Sequence, residues 1–262
     1  MKFALFVLLA SFSFSTPAFA LTGDEILKTV DKNLQPGTYE SYRKLINIEP
    51  SGAKREFILY TLKKGTDKVV SLFLSPSSEK GRSTLRLDEN MWLYIPSVAR
   101  PLRITSLQSV VGGVFNNADI LRLDYHAEYS VTNLNDDKKQ HLLHLKAKSG
   151  SVAYDKLKMW VDKETMLPTR IECYASTGLL IKTIYFKQTK AYGGGIRRPA
   201  VVETDSPLQK GYRSIMIFVK ITKKDLADDV AKLVKEEMEN VAKLRVPIDV
   251  HVEVGKRWGK LK

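Results

Sequence analysis

The stretch "DENMWLYIPSVARPL", residues 88–102, joins a strand-like run to a loop with two prolines and an arginine. Successive side chains of a strand point to opposite faces, and here both faces are apolar. One face carries Met91, Leu93 and Ile95, and the other carries Trp92 and Tyr94. Pro96 then ends the strand. Such a strand either lies beneath a packed core or forms part of a concave wall that wraps a helix or holds an apolar ligand.

Period-two alternation extends in both directions from this stretch, from Tyr39 to about Ile221. Clusters of Gly, Pro, Asn, Asp and Ser separate the runs, which predicts about ten antiparallel strands in one large curved sheet or barrel, a mainly β (α+β) fold. The runs are "EFILYTL", "KVVSLFL", "STLRLD", "MWLYI", "EYSVTNL", "HLLHLKA", "KLKMWVD", "TRIECYA", "LIKTIYF" and "RSIMIFVKI". Residues Ser106 to Leu123 alternate little, and we expect one or two short helices crossing the sheet there.

A single amphipathic helix is predicted before the sheet. Thr22 and Glu25 have the spacing of a capping box, and Pro36-Gly37 stops the helix. Its apolar positions fall on one face: Ile26, Leu27, Val30 and Leu34.

The first residues have the pattern of a cleavable signal peptide. Lys2 precedes an apolar run from Phe3 to Phe14, and small residues follow at Ala18-Phe19-Ala20. We therefore predict a signal peptide over residues 1–20, a mature chain that begins at Leu21 and a soluble exported protein. The apolar run has about 12 residues, too few to span a bilayer, which needs about 20.

The only cysteine, Cys173, lies far from the predicted cleavage site, so we expect neither a lipid anchor nor an internal disulfide.

The chain carries a formal net charge of +13. This charge predicts either a solvated basic surface or anionic partners such as a membrane surface or acidic proteins. Nucleic acid is the weaker interpretation, because the lysines and arginines are scattered among acidic residues. We expect no nucleic-acid partner.

Few residues form patterns typical of catalysis or metal binding. His141 and His144 are three residues apart in a strand, so they point to opposite faces and predict no metal site. Cys173 has no motif that pairs it with a histidine, which indicates a packed strand residue. Asp119 and Asp124 could form an acid–base pair, but Asp119 is better explained as the cap of a short helix at "NNADIL".

The glycine-rich stretch "YGGGIRRP" lacks the Gly-Lys-Ser/Thr ending of a phosphate-binding loop and predicts a hairpin loop. We expect no cofactor and no enzymatic activity.

Several motifs of the chain resemble, in the same order, those of the LolA-like superfamily of periplasmic outer-membrane lipoprotein-sorting proteins. The opening stretch resembles its "D-G-x-x-W-x-Y-x-P" strand, and the branch of uncharacterised lipoprotein-sorting proteins is the most similar. The matching residues are Asp88, Trp92, Tyr94, Pro96, Arg100, Arg103, Gly112, Gly113, Asp119, Asp162, Pro168, Arg170, Lys182 and Pro199. The resemblance covers about residues 24–225. Asn90 and the "NNAD" segment depart from the usual pattern.

This resemblance implies a half-open antiparallel barrel that wraps a few helices, with an apolar hollow that shelters acyl chains in the periplasm. It implies a carrier or chaperone that moves lipoprotein acyl chains or other lipid towards the outer membrane. An inner-membrane transporter and an outer-membrane acceptor would be its partners. The lipid-binding residues would be Met91, Trp92, Leu93, Tyr94 and Ile95. A secreted hydrolase or an envelope structural protein with the same sheet is the alternative, and the absence of a nucleophile–base set favours the carrier.

Residues 226–262 differ from that family. Apolar positions from Leu226 to Leu244 have helical spacing, and those from Ile248 to Val254 alternate as in a strand. About 30 of these residues resemble the last helix and strand of bacterial family A DNA polymerases, without a catalytic carboxylate motif. This resemblance implies no polymerase activity. A recombined reading frame and an appended packing element are both open explanations.

Overall fold

A computed structural model describes residues 21–35, 37–122 and 124–223 of the protein. The predicted signal peptide and the predicted C-terminal helix and strand lie outside the described residues, as do positions 36 and 123. The helices are α1 (Gly23–Leu34), α2 (Asn117–Ile120) and α3 (Tyr125–Glu128). The strands are β1 (Tyr39–Ile48), β2 (Lys54–Lys64), β3 (Lys68–Ser75), β4 (Ser83–Leu87), β5 (Asn90–Tyr94), β6 (Pro101–Ile104), β7 (Tyr129–Asp136), β8 (Gln140–Ala147), β9 (Lys156–Asp162), β10 (Leu167–Tyr174), β11 (Leu180–Ala191), β12 (Arg197–Asp205) and β13 (Arg213–Lys223).

The strands form one curved, open, antiparallel sheet of 13 strands in the order β6-β5-β4-β3-β2-β1-β13-β12-β11-β10-β9-β8-β7. Neighbours in the sheet are neighbours in the chain except where the first strand, β1, pairs with the last, β13. At that junction Leu45 lies opposite Met216 on one side and Phe57 on the other. The predicted mainly β fold with a curved antiparallel sheet is confirmed.

This topology places β6 and β7 at opposite edges of the sheet although they are consecutive in the chain. The connection between them, residues 105–128, must therefore pass across the sheet. We call it the crossing segment. It contains α2 and α3 and contacts side chains of β1, β4, β11 and β13 on the concave face. Short crossing helices were predicted over most of this range.

Three strands lie outside the ten runs seen in the sequence: β1, β6 and β12. The inward-facing positions of β1 include Ser41, Arg43 and Asn47, and those of β12 include Arg198 and Thr204, so polar residues interrupt the apolar side of the alternation. Strand β6 has only four residues and begins with a proline. Tertiary burial rather than local alternation determines these strands.

Helix α1 packs into the concave side of the sheet. Thr22 and Glu25 form the predicted capping box, and Ile26, Leu27 and Val30 are fully buried. Burying each of these side chains contributes about 1.5–3 kcal/mol. Asp31 of α1 accepts hydrogen bonds from the backbone N–H groups of Tyr125 and His126, both at 2.7 Å. The helix therefore holds the end of the crossing segment as well as filling the core.

No helix in the described part of the chain is both long enough and apolar enough to cross a membrane.

Candidate functional site

A small hollow of about 70 Å³ lies between the concave face of the sheet and the crossing segment. The end of α1 and strands β1, β11, β12 and β13 form most of its remaining wall. Its apolar lining includes Leu34, Phe115, Ile120, Phe186, Met216 and Phe218. The curvature of the sheet and the return of the chain across it together produce this partly open, mainly apolar space.

Side chains of the sheet, rather than strand pairing, hold the crossing segment in place. Backbone groups that are removed from water need hydrogen-bond partners, and polar residues on the concave face supply them. Four side chains donate to backbone carbonyls: Asn47 Nδ2 to Val111 at 3.3 Å, Lys182 Nζ to Val114 at 2.5 Å, Arg43 Nη1 to Ile120 at 3.2 Å and Arg86 Nη1 to Leu121 at 3.3 Å. Ser214 Oγ accepts from the backbone N–H of Val114 at 2.9 Å.

Ion pairs fix the same segment at further points. Lys63 Nζ lies 2.9 Å from Asp124 Oδ1, and Arg86 pairs with Glu128. These ion pairs, like the hydrogen bonds above, are made by side chains of the sheet, and none of them is part of its strand pairing.

Asp119 is the centre of a buried network within the crossing segment. Its carboxylate lies 2.8 Å from Lys182 Nζ and 3.2 Å from Arg122 Nη2, and it accepts a hydrogen bond from the Tyr154 hydroxyl at 3.1 Å. Burial acts to raise the pKa of Asp119, but Lys182 and Arg122 outweigh it and hold that pKa below its ordinary value. The residue is therefore an ionised anchor.

Asp119 helps to cap helix α2. Asn116, rather than Asp119, is the N-cap of α2, and the Asp119 carboxylate accepts the Asn116 backbone N–H at 3.0 Å as the other half of the capping box. Asp124 forms an ion pair with Lys63 instead of acting together with Asp119. The geometry gives no support to an acid–base pair.

Two buried arginines, Arg43 and Arg198, line the hollow and lie near the Phe218 ring. Their guanidinium carbons lie 5.8 Å and 3.8 Å from its centroid. Arg43 donates to the Ile120 carbonyl and to the Thr61 hydroxyl, and Arg198 donates to the Leu34 carbonyl at 2.7 Å. Burial lowers the pKa of Arg43 to about 10, and it also lowers the pKa of Arg198.

Sequence reasoning missed these arginines. A signal was available, because Arg43 lies at an inward position of β1 between Tyr39 and Leu45, and Arg198 precedes the inward Val202 of β12. A cation at an apolar position of an alternating strand indicates a buried charge with a special environment.

The predicted lipid-binding strand lies elsewhere in the sheet. Met91 is buried in the core, and Trp92, Leu93, Tyr94 and Ile95 are half-buried. None of the five lines the hollow in this conformation. Their contact with lipid therefore stays a prediction, and the core position of Met91 agrees with the alternative that the strand packs beneath the core.

Other residues of the matched motifs lie in turns or where two parts of the backbone approach closely. Gly112 has φ +71°, in the left-handed region that favours glycine, and Gly113 approaches Asn47 so closely that a Cβ would lie 2.1 Å from its Oδ1. Asp88 occupies a turn with φ 51°. Asp162 accepts a hydrogen bond from the Thr165 N–H at 2.8 Å, and this closes the turn before β10.

The remaining motif residues lie on strands or in an exposed loop. Arg103 lies over the Trp92 ring at 5.6 Å, and Arg170 over the Trp160 ring at 3.7 Å. Pro168 and Pro199 are buried in β10 and β12. Pro96 and Arg100 are exposed between β5 and β6. Among the motif residues, Asp119 is the one that lines the hollow, and Lys182 forms an ion pair with Asp119.

Cys173 and the glycine-rich stretch occupy structural positions. Cys173 is a free, buried strand residue, and burial raises the pKa of its thiol, which disfavours the reactive thiolate. The stretch "YGGGIRRP" forms a 3₁₀ turn at Gly193–Gly195 between β11 and β12, as predicted for a hairpin loop. Within residues 21–35, 37–122 and 124–223, no group of His, Cys, Asp and Glu could hold a metal ion.

Comparison with known structures shows a fold similar to that of a LolA superfamily protein and of two related structures. A LolA superfamily protein from Nitrosomonas europaea is 24% identical, with a TM-score of 0.72 over 80% of this chain and 97% of that chain. A putative outer membrane lipoprotein-sorting protein domain from Vibrio parahaemolyticus is 20% identical, with a TM-score of 0.66 over 81% and 97%. A DUF1329 family protein from Desulfovibrio piger is 21% identical, with a TM-score of 0.68 over 79% and 94%. At these identities the likeness shows the fold.

A family model described as "Uncharacterized protein" matches residues 65–233. Because the match covers more than half of the sequence, the chain belongs to this family. No curated protein matches the chain. The resemblance of residues 226–262 to DNA polymerases finds no support in these comparisons.

Proposed function

We propose that the protein is a non-enzymatic periplasmic carrier, which binds the acyl chains of a lipoprotein or another lipid in the hollow beneath the crossing segment. The observation that carries this proposal is a mainly apolar hollow covered by a segment that side-chain contacts, rather than strand pairing, hold against the concave face. Cargo would pass between an inner-membrane transporter and an outer-membrane acceptor, and the basic surface would favour contact with anionic membranes.

The hollow is too small to bind an acyl chain unless part of the protein moves. Sites for small molecules usually enclose about 300–1,000 Å³, far more than the roughly 70 Å³ between the sheet and the crossing segment. An acyl chain can therefore enter only when the crossing segment moves away from β1 and β11–β13. Apolar burial of about 25 cal/mol per Å² would then offset the lost polar contacts.

The chemistry of the site supports a carrier over a hydrolase. Asp119 is ionised and paired with two cations, and Cys173 is buried with a raised thiol pKa. Neither is placed as a nucleophile beside a free base. An envelope structural protein would need no hollow at all.

Filling the hollow should abolish lipid binding. Val202 lines it and is buried, so Val202→Trp would occupy the space that an acyl chain needs, at a cost of about 1–3 kcal/mol in stability. Val219 is 64% exposed on β13 and supplies the matched control, Val219→Trp. Binding is followed with the uncharged fluorescent probe N-phenyl-1-naphthylamine.

We expect saturable probe binding by the wild type and by V219W, and at least tenfold weaker binding by a folded V202W. Equal binding by both tryptophan variants would place any lipid site outside the hollow. An absence of probe binding by the wild type would contradict the carrier function.

A further inference from the structure

The charges that line the hollow do not balance. Three arginines, Arg43, Arg122 and Arg198, and one carboxylate, Asp119, give a net charge of 3 − 1 = +2. The carboxylate is already paired with Arg122 and with Lys182. Arg43 and Arg198 form no ion pair with any acidic residue in the described part of the chain, although they are only 5% and 6% exposed.

The polar partners of Arg43 and Arg198 are neutral. They are the backbone carbonyls of Ile120 and Leu34 and the hydroxyls of Thr61, Ser71 and Tyr39. The Nε of each guanidinium is buried and has no hydrogen-bond partner among the described residues. Each group therefore retains an unused donor as well as an unneutralised charge.

These two charges also repel each other. The electrostatic effect of Arg198 adds to burial in lowering the pKa of Arg43, yet a guanidinium with a pKa of about 10 stays protonated at neutral pH. Two buried like charges beside one ring, without a counter-ion, are unfavourable in the free protein. A bound anion would relieve both the repulsion and the unsatisfied donors.

We propose that Arg43 and Arg198 form a binding site for an oxyanion attached to an acyl chain, so that the cargo of the hollow is an anionic lipid. The planar guanidinium fork matches the geometry of carboxylate and phosphate oxygens. The apolar lining on the same wall would take the chain: Phe186, Val202, Met216 and Phe218. This inference rests on the proposed carrier function and names its substrate class.

The size of the hollow favours a carboxylate. About 70 Å³ is open beside the arginines while the crossing segment is in place, which suits a head group of a few atoms. A long-chain carboxylate therefore fits with less movement than a lipid phosphate. Both share the oxyanion chemistry, and matched ligands separate them.

Three ligands with the same twelve-carbon chain test the charge requirement on the mature wild-type protein. Laurate, dodecyl phosphate and dodecanol compete with N-phenyl-1-naphthylamine, below their micelle or solubility limits. We expect laurate to displace the probe at a concentration at least tenfold lower than dodecanol. Dodecyl phosphate that competes as well as laurate would assign the site to oxyanions in general, and weaker competition would assign it to carboxylates.

Variants of the two arginines test whether the anionic group binds between them. Arg198→Met and Arg43→Met should each reduce the preference for laurate over dodecanol at least tenfold, a ratio that cancels any effect of Arg43 on the position of the crossing segment. Arg197→Met removes the same charge from the adjacent, exposed position of β12 and should leave laurate binding within twofold of wild type. Circular dichroism confirms the fold of each variant, and the ligand comparison on wild type stands independently of the variants.

Equal displacement by laurate and dodecanol would overturn the anion site and leave the carrier function intact. A preference for laurate over dodecanol that is unchanged in both arginine variants would also overturn it. A wild type that binds neither the probe nor any of the three ligands would contradict the carrier and the anion site together.

Discussion

Gly113 shows how closely the crossing segment approaches the sheet. A Cβ at this position would lie 2.1 Å from Asn47 Oδ1 and 2.5 Å from its Cγ. Asn47 cannot easily move, because it donates to the Val111 carbonyl and accepts from Ser214. We expect Gly113→Ala to destabilise the protein by about 2 kcal/mol, as overpacking typically does.

Urea unfolding measures this change. Gly150 provides the control, because a Cβ there meets nothing within 4 Å. A Gly113→Ala variant as stable as Gly150→Ala would mean that the segment does not pack against Asn47 as described.

Lys182 joins the sheet to the crossing segment by two contacts, one with Asp119 and one with the Val114 carbonyl. Lys182→Met would leave the buried Asp119 with Arg122 as its remaining ion-pair partner, and breaking a buried pair usually costs about 3–5 kcal/mol. Lys187 of the same strand is exposed and pairs with Glu203, so Lys187→Met should cost about 0–1 kcal/mol.

Thermal unfolding of the two lysine variants provides the comparison. Similar melting temperatures for K182M and K187M would show that the Asp119 network does not anchor the crossing segment. We expect K182M to be the only one of the two with a large decrease.

At the scale of elements, Asp31 couples helix α1 to helix α3 in a pH-dependent manner. Burial raises the pKa of Asp31 to about 7, and nearby Asp124 adds to the increase, although the two backbone N–H donors of α3 act to lower that pKa. A carboxyl whose folded-state pKa lies above its unfolded value of about 3.9 stabilises the fold fully below pH 4, and this stability is lost as the pH rises towards 7.

We therefore expect the unfolding free energy of wild type, relative to Asp31→Asn, to fall by a few kcal/mol between pH 4 and pH 7.5. The asparagine side chain of this variant keeps an acceptor for α3 but does not titrate. Denaturant unfolding across this pH range measures the difference, and parallel pH profiles for the two proteins would show that Asp31 titrates normally.

Elements differed in how well the sequence predicted them. Helix α1 was predicted with its cap and buried face, because a capping box and a periodic apolar stripe are local signals. Strands β1 and β12 were not singled out, because Arg43 and Arg198 occupy inward positions where alternation predicts apolar residues. The same two arginines line the hollow, so the residues that interrupt the alternation of these strands belong to the candidate site.

At the scale of the whole molecule, the hollow depends on contacts that no local pattern contains. Alternation predicted a curved antiparallel sheet, but the order of its strands is fixed by the pairing of β1 with β13. That pairing sends the connection from β6 to β7 across the concave face, so that Phe115 and Ile120 line the same hollow as Phe218. The strand Asn90–Tyr94, in spite of the two apolar faces seen in its sequence, lies near one edge of the sheet.

Mass spectrometry of the protein isolated without detergent from the cells that naturally produce it tests the proposed carrier function most directly. We expect a chain that begins at Leu21 and carries an acyl-bearing molecule, which V219W retains and a folded V202W loses. Wild-type protein free of any acyl-bearing molecule, or V202W that carries as much of it as wild type, would contradict the carrier function.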